Sequence, residues 1–163
     1  MCTAAIVQDM ELDELDHAII EHLRVDGRLS NVALADLVGL TPAPCLRRVQ
    51  RLEAGGVIRG YQAVVSPDVL GRGFEVFLDI DLTDFARGSI AAFEAAMTEF
   101  DEVVELHRLF GTPDYCARVA TADATTYEKF LTDQVLTIPG ISRVSSRFAM
   151  KTLKSLWPES GAG

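Results

Sequence analysis

At 163 residues, 48% of them hydrophobic, the chain is long enough for one domain or two small ones with packed cores. No run approaches the roughly 20 apolar residues of a membrane helix, and a net charge of −9 argues against a nonspecific polyanion binder, whose long-range attraction needs positive potential. Three cysteines, Cys2, Cys45 and Cys116, lack CxxC or metal-ligand spacing, so no disulfide framework, metal or cofactor is expected.

Residues 1–11 have no basic n-region and no long apolar stretch; they read as a disordered leader rather than a signal peptide, and the protein is expected to be soluble and cytoplasmic. From there Leu12, Leu15, Ile19 and Leu23 recur at helical spacing, with Asp13, Glu14 and Asp16 in the first turn, where the helix dipole favours acids. Asp26-Gly27 ends that helix. Ser30 to Val38 reads as a short capped helix, and Gly39-Leu40 is a turn of the length that joins the two helices of a helix-turn-helix. Thr41 then stands at an N-cap, Pro42 at the first helical position, and Gly55 at a left-handed stop.

On this third helix Cys45, Leu46, Val49 and Leu52 gather on one side, and Pro44, Arg47, Arg48 and Arg51 on the other. The three helices are expected to bury Leu15, Ile19, Leu23, Leu34, Leu37, Leu46, Val49 and Leu52 together. An exposed Arg row is in general only a solvated face. Here it sits on the second helix of a helix-turn-helix, whose N-terminal residues meet base edges in the major groove. The basic patch is local: residues 41–60 carry four Arg and one acid, whereas residues 67–163 carry nine basic and fifteen acidic side chains.

Residues 57–65 are rich in β-branched side chains and predict a strand. Ser66-Pro67 and the glycines at 71 and 73 have boundary composition, which divides the chain into residues 1–60, a hinge strand and linker over 61–72, and a second domain over 73–163. From Phe74 the period becomes two: Phe74, Val76, Leu78, Ile80 and Leu82 alternate with Glu75, Phe77, Asp79 and Asp81. Ile90, Phe93, Met97 and Phe100 mark a helix capped by Ser89. Residues 103–110 and 115–120 read as strands around a turn at 111–114; Tyr127, Phe130 and Leu131 mark a further helix, and residues 144–153 a last strand. The order β-α-β-β-α-β is the ferredoxin-like arrangement, so the fold class is α+β: a helix-turn-helix domain, winged-helix-like, followed by a ferredoxin-like domain. Its helices cover one sheet face. Phe77, Leu109 and Met150 then argue that a partner covers the other.

The stretches Leu12-Asp-Glu-Leu-Asp16, Asp26-Gly-Arg-Leu-Ser-Asn31, Leu34-Ala-Asp-Leu-Val-Gly-Leu-Thr-Pro-Ala-Pro-Cys45, Arg47-Arg-Val-Gln-Arg-Leu-Glu53, Gly56-Val-Ile-Arg-Gly-Tyr61 and Gly111-Thr-Pro-Asp-Tyr115 together resemble the Lrp/AsnC, or feast/famine, transcription regulators over residues 12–158. The resemblance implies an N-terminal domain that binds double-stranded DNA and a C-terminal domain that senses a small molecule, usually an amino acid. It also implies dimers that assemble further, often to octamers, with the effector between dimers beside a Gly-x-x-Asp turn. That turn is Gly111, Thr112, Pro113 and Asp114 here, with Thr137 and Ile138 as neighbours. Many relatives carry an acid and an aromatic residue where Thr112 and Pro113 stand, so the effector's identity does not transfer.

Within that frame Thr41, Ala43, Pro44, Arg47, Arg48 and Arg51 are expected at the groove, with Arg28, Ser30 and Asn31 on the DNA backbone. The 111–114 turn suits a zwitterion, since glycine lets backbone N–H groups approach a carboxylate while Asp114 takes the ammonium. The competing reading is a plain hairpin turn with Asp in a local hydrogen bond. Two other functions remain open: an amino-acid-sensing interaction module without DNA binding, and an amino-acid enzyme built on His107, Arg108, Asp114, Tyr115 and Cys116. No general base is spaced to serve Cys116, and catalysis is not expected.

Overall fold

The structure, a computed structural model, describes residues 10–153, so most of the expected leader lies outside the described residues. The chain divides between Ala63 and Val64 into two compact units.

The first unit holds α1 (Glu14–Val25), α2 (Asn31–Val38) and α3 (Pro42–Ala54). Asp13 is the cap of α1 rather than part of its first turn. Its Oδ1 accepts from the Asp16 N–H at 2.9 Å, and its own N–H donates to Asp16 Oδ2 at 3.2 Å, a reciprocal capping box. Ser30 caps α2 through the Ala33 N–H, and Gly39 ends it at φ 71. Thr41 precedes α3 without a side-chain cap bond, and Pro42 occupies the first turn as expected. The left-handed residue after α3 is Gly56, φ 70; Gly55 stays right-handed at φ −79.

Ile19, Leu34, Ala35, Cys45 and Leu52 form the buried core, with Leu12, Leu23, Val49, Val57 and Ile58 packed around it. Leu37 and Leu46, expected inside, are 54% and 44% exposed. Each lies about 100° around its helix from the centre of the buried stripe, at the edge of what a neighbouring helix covers. The expected strand over residues 57–65 does not form: the segment is irregular, and Val64 and Val65 are exposed. β-branched residues favour extended backbone, but a strand exists only where a ladder partner takes its N–H and C=O groups. Tyr61 is instead held on its own unit, where its hydroxyl donates to Glu53 Oε1 at 3.0 Å and its ring lies against Gly27.

The second unit runs β1 (Phe74–Leu82), α4 (Arg87–Thr98), β2 (Val103–Arg108), β3 (Tyr115–Thr121), α5 (Ala124–Asp133) and β4 (Ile141–Phe148), preceded by a 3-10 turn at Pro67–Leu70. The sheet order is β2-β3-β1-β4, antiparallel throughout, with Leu78 between Ala117 and Ser146: the ferredoxin-like fold. Val76, Leu78 and Ile80 are fully buried beneath Phe93, Met97, Tyr127 and Phe130. Glu75 and Phe77 on the opposite face are exposed. The α4 cap is at Ala86 and not Ser89, whose hydroxyl donates to Asp84 Oδ2 at 3.3 Å inside the first turn. The last strand starts at Ile141, three residues before the expected boundary, and stops at Phe148.

Two cap carboxylates carry a pH consequence. The Asp16 N–H first, then the Arg48 guanidinium, hold Asp13 below its ordinary value, and the Thr126 N–H does the same for Asp123 at the start of α5. A depressed native pKa stabilises the fold fully above the unfolded value, and that stabilisation is lost as pH falls through the native value. Asp13→Asn and Asp123→Asn keep a capping oxygen but not the charge. Each is expected to flatten the fall in denaturation midpoint below about pH 4 while changing it little near pH 7. An acid limb as steep as the wild type's in both variants would rule these carboxylates out as its source.

Candidate DNA interface and effector turn

Thr41 and Ala43 are exposed at the start of α3, Pro44 is half-buried, and Arg47 is exposed with no ion pair among the described residues. Asn31 reaches from α2 to the same helix end: its Nδ2 donates to the Pro42 carbonyl at 2.7 Å, while its Oδ1 is buried without a partner among the described residues. Ser30 is occupied as a helix cap. Arg28 is exposed, and its backbone N–H donates to Asp26 Oδ1. These residues therefore surround one end of α3.

Arg48 and Arg51 differ from the expected free row. Arg48 Nη1 lies 2.7 Å from Asp13 Oδ2 and 2.9 Å from Asp16 Oδ1, and Arg51 Nη2 bonds Asp16 Oδ2. Asp16 has 0% exposure. A carboxylate removed from water persists as an ion only where charges and donors compensate it, and here two guanidiniums and the Asp13 N–H do so. The sequence reading treated Asp16 as a dipole complement only. The missed signal is Arg48 itself, which falls about 60° from Cys45 on the helix, nearer the core than Leu46 at about 100°.

The 111–114 turn closes the β2–β3 hairpin. Gly111 has φ 118, a conformation that favours glycine, and the Thr112–Pro113 bond is cis. Asp114 Oδ2 accepts from the Leu82 N–H at 2.8 Å, its N–H donates to Asp81 Oδ1 at 3.3 Å, and its carbonyl accepts from the Leu109 N–H at 2.8 Å. One carboxylate oxygen thus fixes the end of β1, and the next residue, Thr83, donates its N–H to the Gly140 carbonyl at 2.8 Å. Thr137 and Ile138 line a concavity of about 580 Å³ between the start of α4 and residues 139–140, with Phe93 in its wall. The six expected effector residues therefore form two groups, four on the hairpin and two in this concavity, linked through residues 82–83.

His107 stands opposite Cys116 in the β2–β3 ladder. Burial first, then the Asp79 carboxylate, push the Cys116 thiol up, the reverse of what a nucleophile requires. Tyr115, buried and donating to Glu94 Oε1 at 2.7 Å, is pushed up to about 12 by burial and then by that carboxylate. Among the described residues no group of three or more His, Cys, Asp or Glu is placed to hold a metal ion, and no helix is long and apolar enough to cross a membrane.

Comparison with known proteins bears on both units. Residues 12–53 match the AsnC-type helix-turn-helix domain and residues 75–156 the Lrp/AsnC ligand binding domain. The leucine-responsive regulatory protein of Salmonella typhimurium is 38% identical over 144 residues, 88% of each chain, and that of Escherichia coli K12 37% identical over the same share. A transcriptional regulator from Neisseria meningitidis, solved as a complex with L-methionine, superposes with a TM-score of 0.84 at 32% identity, covering 89% of this chain and 94% of that one. An AsnC family regulator from Agrobacterium tumefaciens gives a TM-score of 0.82 at 36% identity over 88% and 94%. With a matched domain in each half and relatives aligned along nearly the whole chain, this protein belongs to the Lrp/AsnC family of transcriptional regulators.

Proposed function

We propose that the chain is a cytoplasmic, non-enzymatic regulator that reads double-stranded DNA with the start of α3 and responds to an amino acid through its second unit. The observation that carries this reading is the exposed start of α3, where Arg47 stands unpaired among the described residues beside Thr41, Ala43 and Pro44. Arg28, Ser30 and Asn31, around the same end, meet the DNA backbone. Arg48 and Arg51 contribute from the same helix. Gly111, Thr112, Pro113 and Asp114, with Thr137 and Ile138, receive the effector; the relatives' named responses to leucine and methionine support the amino-acid class. The outer sheet face, with exposed Phe77, and the exposed Leu109 and Met150 beyond β2 and β4 support a homodimer, and higher assembly to an octamer would set the spacing of paired DNA units. Such pairs favour pseudo-palindromes with half-sites about one helical turn, or a multiple, apart. An effector acts on this assembly only by binding one state more tightly than the other.

A gel shift on the DNA upstream of the protein's own coding region, with and without each proteinogenic amino acid, tests the reading. Specific retardation modulated by at least one amino acid is expected. Arg47→Ala is expected to weaken that binding by about 1–3 kcal/mol if Arg47 reads a base, or to lower the salt slope by about 0.9 if it sits on a phosphate. Unchanged affinity, discrimination and slope together would remove α3 from the interface.

A further inference from the structure

We propose that Asp16 is a positioning residue for DNA reading, holding Arg48 and Arg51 as a clamp that sets the rotation of α3 and stays closed when DNA is bound. This rests on the assignment of α3 as the reading helix.

Asp16 occupies the third position of α1 and is fully buried. Its Oδ1 takes Arg48 Nη1 at 2.9 Å; its Oδ2 takes Arg51 Nη2 and the Asp13 N–H. Arg48 also bonds Asp13 Oδ1 and Oδ2 at 2.9 and 2.7 Å. Two guanidiniums three residues apart on α3 therefore converge on one carboxylate of α1. A rotation of α3 by a single residue would carry both away from it. The start of the same helix is pinned separately by Asn31 Nδ2 on the Pro42 carbonyl. With azimuth and start both fixed, Arg47, next after Arg48, is turned outward, and a carboxylate 31 positions earlier decides which arginine is free.

Drawing Arg48 and Arg51 onto phosphates would strand a desolvated carboxylate without its counter-charges. Breaking a buried pair is costly, whereas an exposed phosphate contact gains little at physiological salt. The clamp therefore contributes geometry, and so base discrimination, rather than phosphate charge.

The test uses the full-length protein and the duplex that the wild type enriches most from a randomised library, with a scrambled duplex of equal length for comparison. Asp16→Asn keeps the shape of the side chain and removes its charge. Its ratio of specific to scrambled affinity is expected to fall about tenfold or more, with scrambled affinity unchanged or higher, because two guanidiniums are released. Arg51→Gln, the second variant should Asp16→Asn fail to fold, is expected to lower the ratio while leaving the salt slope at the wild-type value. A wild-type ratio in folded Asp16→Asn, with only its melting temperature lowered, would reduce the clamp to a structural contact and overturn the proposal. So would a slope lower by about 0.9 in Arg51→Gln, which assigns Arg51 to a phosphate. If the wild type enriches no sequence, the reading-helix assignment itself fails, and that outcome is distinct from both.

Discussion

Asparagine in place of Asp114 is expected to leave the second unit close to wild-type stability and to abolish the amino-acid response, whereas alanine loses both. The carboxylate has two separable tasks. One oxygen accepts the Leu82 N–H at 2.8 Å, at the buried end of β1. Alanine leaves that N–H without a partner, a loss of about 1–3 kcal/mol. Asparagine keeps an acceptor there, so the strand end holds. The negative charge, which asparagine lacks, is the part an ammonium group requires, and charge-assisted hydrogen bonds are roughly twice as strong as neutral ones. Calorimetry with the amino acids that shift the wild type, together with a urea midpoint, separates the two. Wild-type effector affinity in Asp114→Asn would confine the carboxylate to the strand end and reduce the turn to the hairpin that its hydrogen bonds already describe.

Where one periodicity governs, the sequence is a close guide. The alternation from Phe74 to Leu82 placed β1 at its observed limits, because one sheet face is buried and a one-residue slip would turn Val76, Leu78 and Ile80 into water. The helices of the first unit followed from Ser30, Pro42 and their apolar stripes, and the order of elements in the second unit from alternating periods. What escaped are features decided by a neighbour. Residues 57–65 have the composition of a strand, but extended propensity does not specify a ladder partner. The edges of the α2 and α3 stripes, Leu37 and Leu46, depend on how far an adjacent helix reaches. Most consequential was Asp16: an acid in a first turn has an adequate local explanation in the helix dipole, and the local explanation concealed a pairing that spans 32 residues. The second unit shows the same pattern, because Asp114 read as a turn residue while its partner, Leu82, lies 32 positions away.

Phe93→Ala is expected to cost the second unit about 3–5 kcal/mol, a large share of the 5–15 kcal/mol that ordinarily holds a domain together. Phe93 is 1% exposed beneath α4, its ring centroid 4.7 Å from that of Tyr115. Truncation removes the buried ring, leaves space that β1 and β3 cannot close without bending, and forfeits an aromatic pair worth about 0.5–1.5 kcal/mol. Leu136→Ala, at a side chain 53% exposed, is the control and should stay within about 0.5 kcal/mol of wild type. The loss also reaches the turn. Tyr115 follows Asp114 directly and is held between Phe93 and Glu94, so a loosened Tyr115 frees the hairpin at its base. Phe93→Ala should therefore lose effector response and urea midpoint together, whereas Asp114→Asn loses the response alone. A midpoint change worth less than about 1 kcal/mol in Phe93→Ala would mean that α4 does not pack on this sheet as described.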